Sequence, residues 1–161
     1  MSTGEWISLI SAITALTAVI VGPLVAWKVA KKQIQASVVS ENRQKWIDAL
    51  RENISDFQTK AKIAVVEDRL ANDPNNESVA NAESHDLAMK GMTLVINRVI
   101  LLINPNEADH SKLLTRMHEL LEFCSSGNPY DDKQLDRLEA SITSVAQSIL
   151  KREWERVKMG D

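Results

Sequence analysis

Residues 6–27 read WISLISAITALTAVIVGPLVAW, and no charged side chain interrupts them. At about 1.5 Å of rise per residue, a helix of this length reaches roughly 33 Å, enough to cross a hydrocarbon core of about 30 Å. Trp6 and Trp27 bracket the segment, at the positions where indole rings favour the two membrane interfaces. We therefore predict a transmembrane anchor within residues 1–27. A buried core helix is the alternative, but a helix uncharged on every face is unusual in so short a soluble chain.

The charges that flank this segment predict its orientation. Lys28, Lys31 and Lys32 follow it directly, and lysine-rich flanks stay on the cytoplasmic side of a membrane. Residues 1–5 hold no Lys or Arg, which disfavours a cleaved signal peptide. The sequence thus predicts a single-pass protein of the bacterial inner membrane, with its N-terminus outside and its C-terminal domain in the cytoplasm.

Small residues recur along one face of the predicted span. Thr14, Ala18 and Gly22 are four residues apart, a spacing that lets two helix backbones approach closely in a bilayer. The pattern favours a homo-oligomer that associates through the span. A span that merely tolerates small residues would have the same composition.

The rest of the chain has the apolar periodicity of helices and no alternation typical of strands. Breakers rich in Asn, Pro, Ser and Gly occur at 72–76, 104–106 and 125–129. We predict an all-α fold in which the N-terminal transmembrane helix continues into an antiparallel four-helix bundle. The predicted regions are the N-terminus and anchor at 1–27, a basic juxtamembrane stalk helix at 28–45, and a cytoplasmic helical bundle at 46–161.

The charge distribution bears on partners. Residues 28–45 carry five basic residues and one acidic residue, whereas the chain from Trp46 onward carries 14 basic and 20 acidic residues, a net charge of −6. A basic collar beside an apolar span suits a lipid bilayer, and an acidic domain argues against nucleic acid as a partner. The single cysteine, Cys124, excludes a disulfide within one chain.

Motifs that would indicate catalysis are missing from the sequence. It contains no Gly-rich phosphate loop and no G-x-S-x-G elbow, and its three histidines lack the grouped ligands of a zinc site. Cys124 lies on an apolar helical stripe, as a structural thiol would. We therefore expect no catalytic residues, no metal and no cofactor, and a protein that is not an enzyme.

Three polar clusters interrupt otherwise apolar helices and form the candidate site. A structural network that fixes helix register is the first interpretation, because buried polar groups are normally matched, and a ligand site is the second. Arg98 is expected to pair with an acid of the first or last helix, such as Glu52, Asp56 or Glu153. The clustered residues are Asn42, Arg43, Trp46 and Arg51, then Asn97 and Arg98, then Glu153 and Trp154.

These clusters fall in three segments, SENRQKWIDALRENISDF, NRVILLINPNEADHSKLL and SILKREWERVKMG. In them the chain resembles a widespread, uncharacterised family of small bacterial membrane proteins with one N-terminal transmembrane helix and a helical cytoplasmic domain. The resemblance covers most of the chain but implies no activity. Similar small anchored proteins occur in prophages and anti-phage defence loci. The residues that carry the resemblance are Asn42, Arg43, Trp46, Ile47, Leu50, Arg51, Asn104, Pro105, Glu153, Trp154, Glu155 and Arg156.

Three functions are compatible with these features. The first is a membrane-anchored helical interaction module, oligomeric, that tethers its bundle to the inner membrane for an unknown protein partner. The second is a membrane-perturbing effector of a prophage or anti-phage defence system. The third is an enzyme or nucleotide sensor that uses Arg43, Arg51 and Arg98, which the lack of a phosphate loop or acid pair disfavours.

Overall fold

The structure, a computed structural model, describes residues 3–73, 80–126 and 131–159, and these residues form four α-helices without a strand among them. The predicted all-helical class is thereby confirmed. The helices are α1 (Thr3–Ala71), α2 (Ala80–Leu102), α3 (Ala108–Ser125) and α4 (Asp132–Met159).

The described chain divides into two compact units, one formed by residues 3–42 and the other by Arg43–Met159. The second unit begins three residues before the boundary suggested by the sequence. Arg43 accounts for part of this difference, because its side chain already contacts Glu153 on α4.

The first unit has no buried side chain among those described from Thr3 to Val39. Its helix is the one helix, in the described part of the chain, that is long and apolar enough to cross a membrane by length and composition. The Thr14 and Thr17 hydroxyls donate to the backbone oxygens of Ile10 and Ile13, at 2.9 Å and 2.7 Å. Both hydroxyls are therefore satisfied within the helix itself.

The second unit has one apolar core to which all four helices contribute. Apolar residues three or four positions apart turn one stripe of each helix towards it. A fully buried Leu, Ile, Phe or Met side chain stabilises a fold by about 1.5–3 kcal/mol relative to exposure. The largest of the fully buried side chains are Phe57, Ile47, Leu50, Met92, Leu113, Met117, Leu120, Ile142 and Ile149.

Polar contacts place α2 beside α1 within this unit. The Trp46 indole Nε1–H donates to the backbone oxygen of Leu102 at 2.5 Å, and His85 Nδ1 hydrogen-bonds the backbone oxygen of Ala64 at 2.9 Å. The two helices approach closely at Gly91, where an added Cβ would lie 2.8 Å from Cδ of Lys60.

Other contacts place α4 beside α1. The Gln58 amide donates to the Glu139 backbone oxygen at 3.0 Å and to the Thr143 hydroxyl at 2.9 Å. Further along α1, Arg69 forms an ion pair with Asp132 at the start of α4. Side chains of α1 thus contact α4 over about three turns, from Asp132 to Thr143.

Candidate functional site

Glu153 lies at the centre of the most extensive polar cluster in the described residues. Its side chain belongs to α4 and the residue is 7% exposed. Its carboxylate is 2.8 Å from Arg156 Nη1, 3.4 Å from Arg152 Nε and 3.5 Å from Arg43 Nε on α1. A carboxylate removed from water needs such partners, because an unpaired buried charge is strongly destabilising.

Arg152 extends the cluster to the start of α3. Its guanidinium donates to Glu107 Oε2 at 2.7 Å and to the carboxylate of Asp109. Burial raises the pKa of Asp109, but the hydrogen bond and charge of Arg152 outweigh burial and hold that pKa below its usual value. The hydrogen bond to Asp109 in turn raises the pKa of Arg152.

Trp46 and His110 adjoin this cluster. Their ring centroids are 6.0 Å apart, and His110 is 4% exposed. The backbone N–H of Asn104 donates to His110 Nδ1 at 3.1 Å, so neutral His110 carries its proton on Nε2. This Nε2 atom lies 3.8 Å from Glu107 Oε2, too far for a hydrogen bond, and has no partner among the described residues.

Glu107, Asp109 and His110 bring three possible metal ligands within 4.8 Å of one another. Their surroundings do not suit a metal. A histidine bound to metal through Nε2 normally donates its Nδ1–H, but here Nδ1 is already an acceptor. Arg152 also occupies both carboxylates. The arrangement is therefore that of an ion-pair network whose charges are matched.

Sequence reasoning placed Arg43 and Glu153 among the candidate residues, and the structure brings this pair together. It did not identify Glu107, Asp109 or His110 as their neighbours. The only sequence signal for those three is the Glu-x-Asp-His spacing at the start of a helix, which also occurs as ordinary favourable charge at helix N-termini.

Arg51 and Trp154 meet at a different place, a cavity of about 350 Å³ between α1 and α4. Trp154 is 46% exposed, and the Arg51 guanidinium is held by Asp48 Oδ1 at 2.7 Å. A second cavity, of about 300 Å³, shares Arg51 and Leu150 with the first. The remaining residues that line the first cavity are Gln44, Ile47, Leu150 and Lys151.

Asn97 and Arg98 are exposed on α2 and are not among the residues that line the two cavities or form the ion pairs around Glu153. Within the described chain Arg98 has no ion-pair partner, and the expected pairing with Glu52, Asp56 or Glu153 is not seen. The buried positions Met92, Val95 and Val99 form the side of α2 that faces the core. Asn42 is likewise exposed.

The residues assigned to the anchor all have exposed side chains in the first unit: Trp6, Thr14, Ala18, Gly22, Trp27, Lys28, Lys31 and Lys32. Lys31 Nζ lies 5.7 Å from the centroid of the Trp27 ring. A Cβ added at Gly22 would meet no atom within 4 Å, so this face of a single chain is open to another helix.

Cys124 is buried on α3, and its Sγ lies 3.9 Å from the backbone oxygen of Ala61. Burial, with a smaller contribution from the charge of Glu139, raises the pKa of the Cys124 thiol to about 12. The thiol stays protonated at neutral pH, which fits packing rather than chemistry.

Comparison of the chain with protein-family models, with curated proteins and with solved structures finds no match. The described residues present an exposed apolar helix, a charge-matched network that joins α1, α3 and α4, and an open cavity with cationic and aromatic walls.

Proposed function

We propose that this protein is a membrane-anchored helical interaction module. Its N-terminal helix crosses the bacterial inner membrane once, and its C-terminal helices form a cytoplasmic bundle on which a partner protein docks. The observation that carries the proposal is the uncharged stretch Trp6–Trp27, none of whose described side chains is buried. An apolar surface of this extent is unfavourable in water and favourable in lipid.

Two details of the first unit support a span with its N-terminus outside. The threonine hydroxyls bond to their own helix, so they need no water inside a bilayer. Lys31 lies over the Trp27 ring, which combines an interfacial aromatic residue with a cytoplasmic positive charge.

The contacts within the second unit support an antiparallel bundle. As α1 runs from Gln58 to Arg69, its partners on α4 run back from Thr143 to Asp132. The contacts between α1 and α2 reverse in the same way, since Trp46 meets Leu102 and Ala64 meets His85. Such reversal is typical of neighbouring helices joined by short connections.

The surface of α2 supports a role in protein contacts. Leu87, Leu94 and Leu101 recur every seven residues and are 72%, 51% and 87% exposed. A run of exposed apolar side chains often marks a site of protein association. The network around Glu153 is matched in charge and joins a buried carboxylate to partly exposed arginines, as a structural clamp would, and it offers no pair for acid–base chemistry.

The anchor is tested by fractionating cells that express the full chain and extracting their membranes with alkaline carbonate. We expect the protein to stay in the membrane fraction and to be released only by detergent. Release by carbonate would contradict a spanning anchor. Loss of membrane potential on expression, at levels where a control membrane protein has no effect, would indicate the membrane-perturbing effector in place of the interaction module.

Oligomerisation through the span is tested by light scattering of the detergent-solubilised protein. Gly22→Ile should reduce association, because a bulky side chain keeps the two backbones apart. It should leave the single chain intact, since space around Gly22 is open. Val19→Ile, which changes an exposed position of the same helix to a similar residue, is the matched control. A monomeric wild-type protein would contradict this part of the proposal.

A further inference from the structure

We propose that the cavity between α1 and α4 binds a small anion that carries a flat ring, of the size of a nucleotide. This binding site goes beyond the anchoring role and does not depend on it. It is called the α1–α4 cavity below and is lined by Gln44, Ile47, Arg51, Leu150, Lys151 and Trp154.

The α1–α4 cavity is formed by regular helix geometry. Gln44, Ile47 and Arg51 are three and four residues apart on α1, so they share one side of that helix. On α4, Trp154 follows Leu150 by four residues and Lys151 by three, so it lies next to both on the helix surface. Among the lining residues Ile47 is 2% exposed, whereas Arg51, Lys151 and Trp154 are exposed. A volume of about 350 Å³ lies at the lower end of what small-ligand sites in proteins enclose, about 300–1,000 Å³.

The charge of the walls selects an anion. The chain from Trp46 onward has a net charge of −6, yet of the six described residues that line the cavity two are cations and none is acidic. A third cation is near, because Lys158 Nζ lies 4.8 Å from the centroid of the Trp154 ring. The guanidinium of Arg51 has the planar, multi-donor shape that binds phosphate and carboxylate oxygens.

Trp154 selects a flat ring. The residue is 46% exposed, and Lys158 Nζ lies over one face of the ring, so the other face is the one offered to a ligand. Aromatic ligands stack on such a surface, and base–aromatic stacking contributes binding that does not depend on base identity. Gln44 adds an amide to the lining, and because its Nε2 donates to Asp48, its Oε1 is the atom that accepts from a ring N–H.

The neighbouring cavity provides room for more than a phosphate ion. It shares Arg51 and Leu150 with the α1–α4 cavity and adds about 300 Å³, with the polar residues Ser55, Gln58 and Gln147 beside the apolar Ile54 and Ala146. Arg51 therefore lines both cavities, and its guanidinium would contact a ligand that extends from one into the other. The geometry fits a phosphate at Arg51 and Lys151 with a ring against Trp154.

The test is titration calorimetry on the full chain in detergent, with AMP, ADP, ATP and inorganic phosphate as separate probes. We expect a nucleotide to bind more tightly than phosphate. Arg51→Ala and Lys151→Ala should each weaken that nucleotide about tenfold or more, as expected for a lost charged contact. Trp154→Ala should weaken it to a similar extent, whereas Trp154→Phe should retain most of the affinity. Lys133→Ala removes another exposed lysine of α4 away from the cavity and should change nothing.

A further variant is expected to change affinity in the opposite direction. Asp48→Asn removes the carboxylate that competes for Arg51, so it should strengthen nucleotide binding several-fold. Circular dichroism checks that each variant is folded, and these residues are outside the fully buried core. The proposal is overturned if no nucleotide binds at millimolar concentration, or if Arg51→Ala combined with Lys151→Ala leaves binding unchanged. If phosphate and nucleotide bind with equal affinity, and Trp154→Ala does not change that affinity, the proposal that a ring stacks on Trp154 is overturned.

Discussion

Glu153 combines deep burial with three guanidinium neighbours, and this combination makes it the most sensitive single residue of the network. Glu153→Gln keeps the shape of the side chain but removes the charge that offsets Arg43, Arg152 and Arg156. We expect the free energy of unfolding to fall by about 2–3 kcal/mol, since removing one partner of a buried pair leaves the other uncompensated. Chemical denaturation of the full chain in detergent, followed by helical circular dichroism, measures the change.

Glu155→Gln is the matched control for this prediction. Glu155 is two residues away on the same helix and is exposed, so its substitution should change stability by less than about 0.5 kcal/mol. Equal effects of the two substitutions would mean that Glu153 is not held in the network that the structure shows.

Asp109 gives the network a predictable pH dependence. Its pKa is lowered in the folded state, chiefly through Arg152 acting against burial, so its contribution to stability is present above the unfolded pKa. That contribution is lost as the pH falls through the lower, folded pKa. Asp109→Asn should cost about 1 kcal/mol at pH 7, a modest value because Asp109 and Arg152 remain partly solvated.

The measurement is Tm against pH for the wild-type protein and Asp109→Asn. The difference between the two curves should be constant near neutrality and should close below about pH 4, near the ordinary pKa of an aspartate. A difference that grows on acidification would contradict the ion pair with Arg152.

At the scale of the elements, the bounds of the helices were predictable and their contacts were not. The breakers at 72–76, 104–106 and 125–129 divide the chain into helical segments, and the structure has helices between and after them at Ala80–Leu102, Ala108–Ser125 and Asp132–Met159. Helix ends depend on local breakers, which the sequence shows directly. The contact of Arg152 with Glu107 joins residues 45 positions apart, and no local pattern encodes it.

The misplaced expectation for Arg98 has a specific cause. The segment LAMKGMTLVINRVILLI is apolar on nearly every side, so its periodicity does not reveal which side of α2 faces the core. The structure shows that the side carrying Met92, Val95 and Val99 is buried, and Arg98 lies outside it and is exposed. Arg43 and Glu153, by contrast, lie on helices whose apolar stripes are well defined, and the structure pairs them.

Leucine-to-alanine substitutions on two helices test which side of each helix is buried in the core. Leu120 on α3 is 0% exposed and Leu101 on α2 is 87% exposed. Leu120→Ala should lower the free energy of unfolding by about 2–5 kcal/mol, through lost burial and the cavity left behind. Leu101→Ala should change it by less than about 0.5 kcal/mol in the monomer. Denaturation curves of both variants at low protein concentration provide the comparison, and a large loss for Leu101→Ala would place that residue inside the core.

At the scale of the whole molecule, the distribution of charge along the chain is its most informative feature. An uncharged stretch at 6–27 is followed by a basic collar and then by a domain of net charge −6. Basic flanks are retained on the cytoplasmic side, whereas acidic residues have little influence on orientation. The collar should therefore determine the topology of the full chain, and the acidic domain should follow it.

Replacing Lys28, Lys31 and Lys32 by Glu tests this dependence. A cysteine introduced at Ser148, an exposed position of α4, reports the side of the membrane by its reaction with an impermeant maleimide in intact cells. With the wild-type lysines, the cysteine at position 148 should stay unlabelled. With the three glutamates in their place, a substantial fraction of the chains should be inverted and labelled. Native Cys124 does not interfere, because it is buried and its pKa is raised to about 12.

The control for this experiment makes an equal change of charge far from the span. Lys112, Lys133 and Lys151 are exposed lysines of the second unit, and their replacement by Glu should leave the cysteine at position 148 protected. Labelling with the wild-type collar would contradict the cytoplasmic assignment of the bundle. Continued protection after collar reversal would instead show that another force orients the chain, such as folding of the bundle before insertion. Labelling thus tests whether the lysines set the orientation of the chain. Carbonate extraction tests separately whether the N-terminal helix spans the membrane.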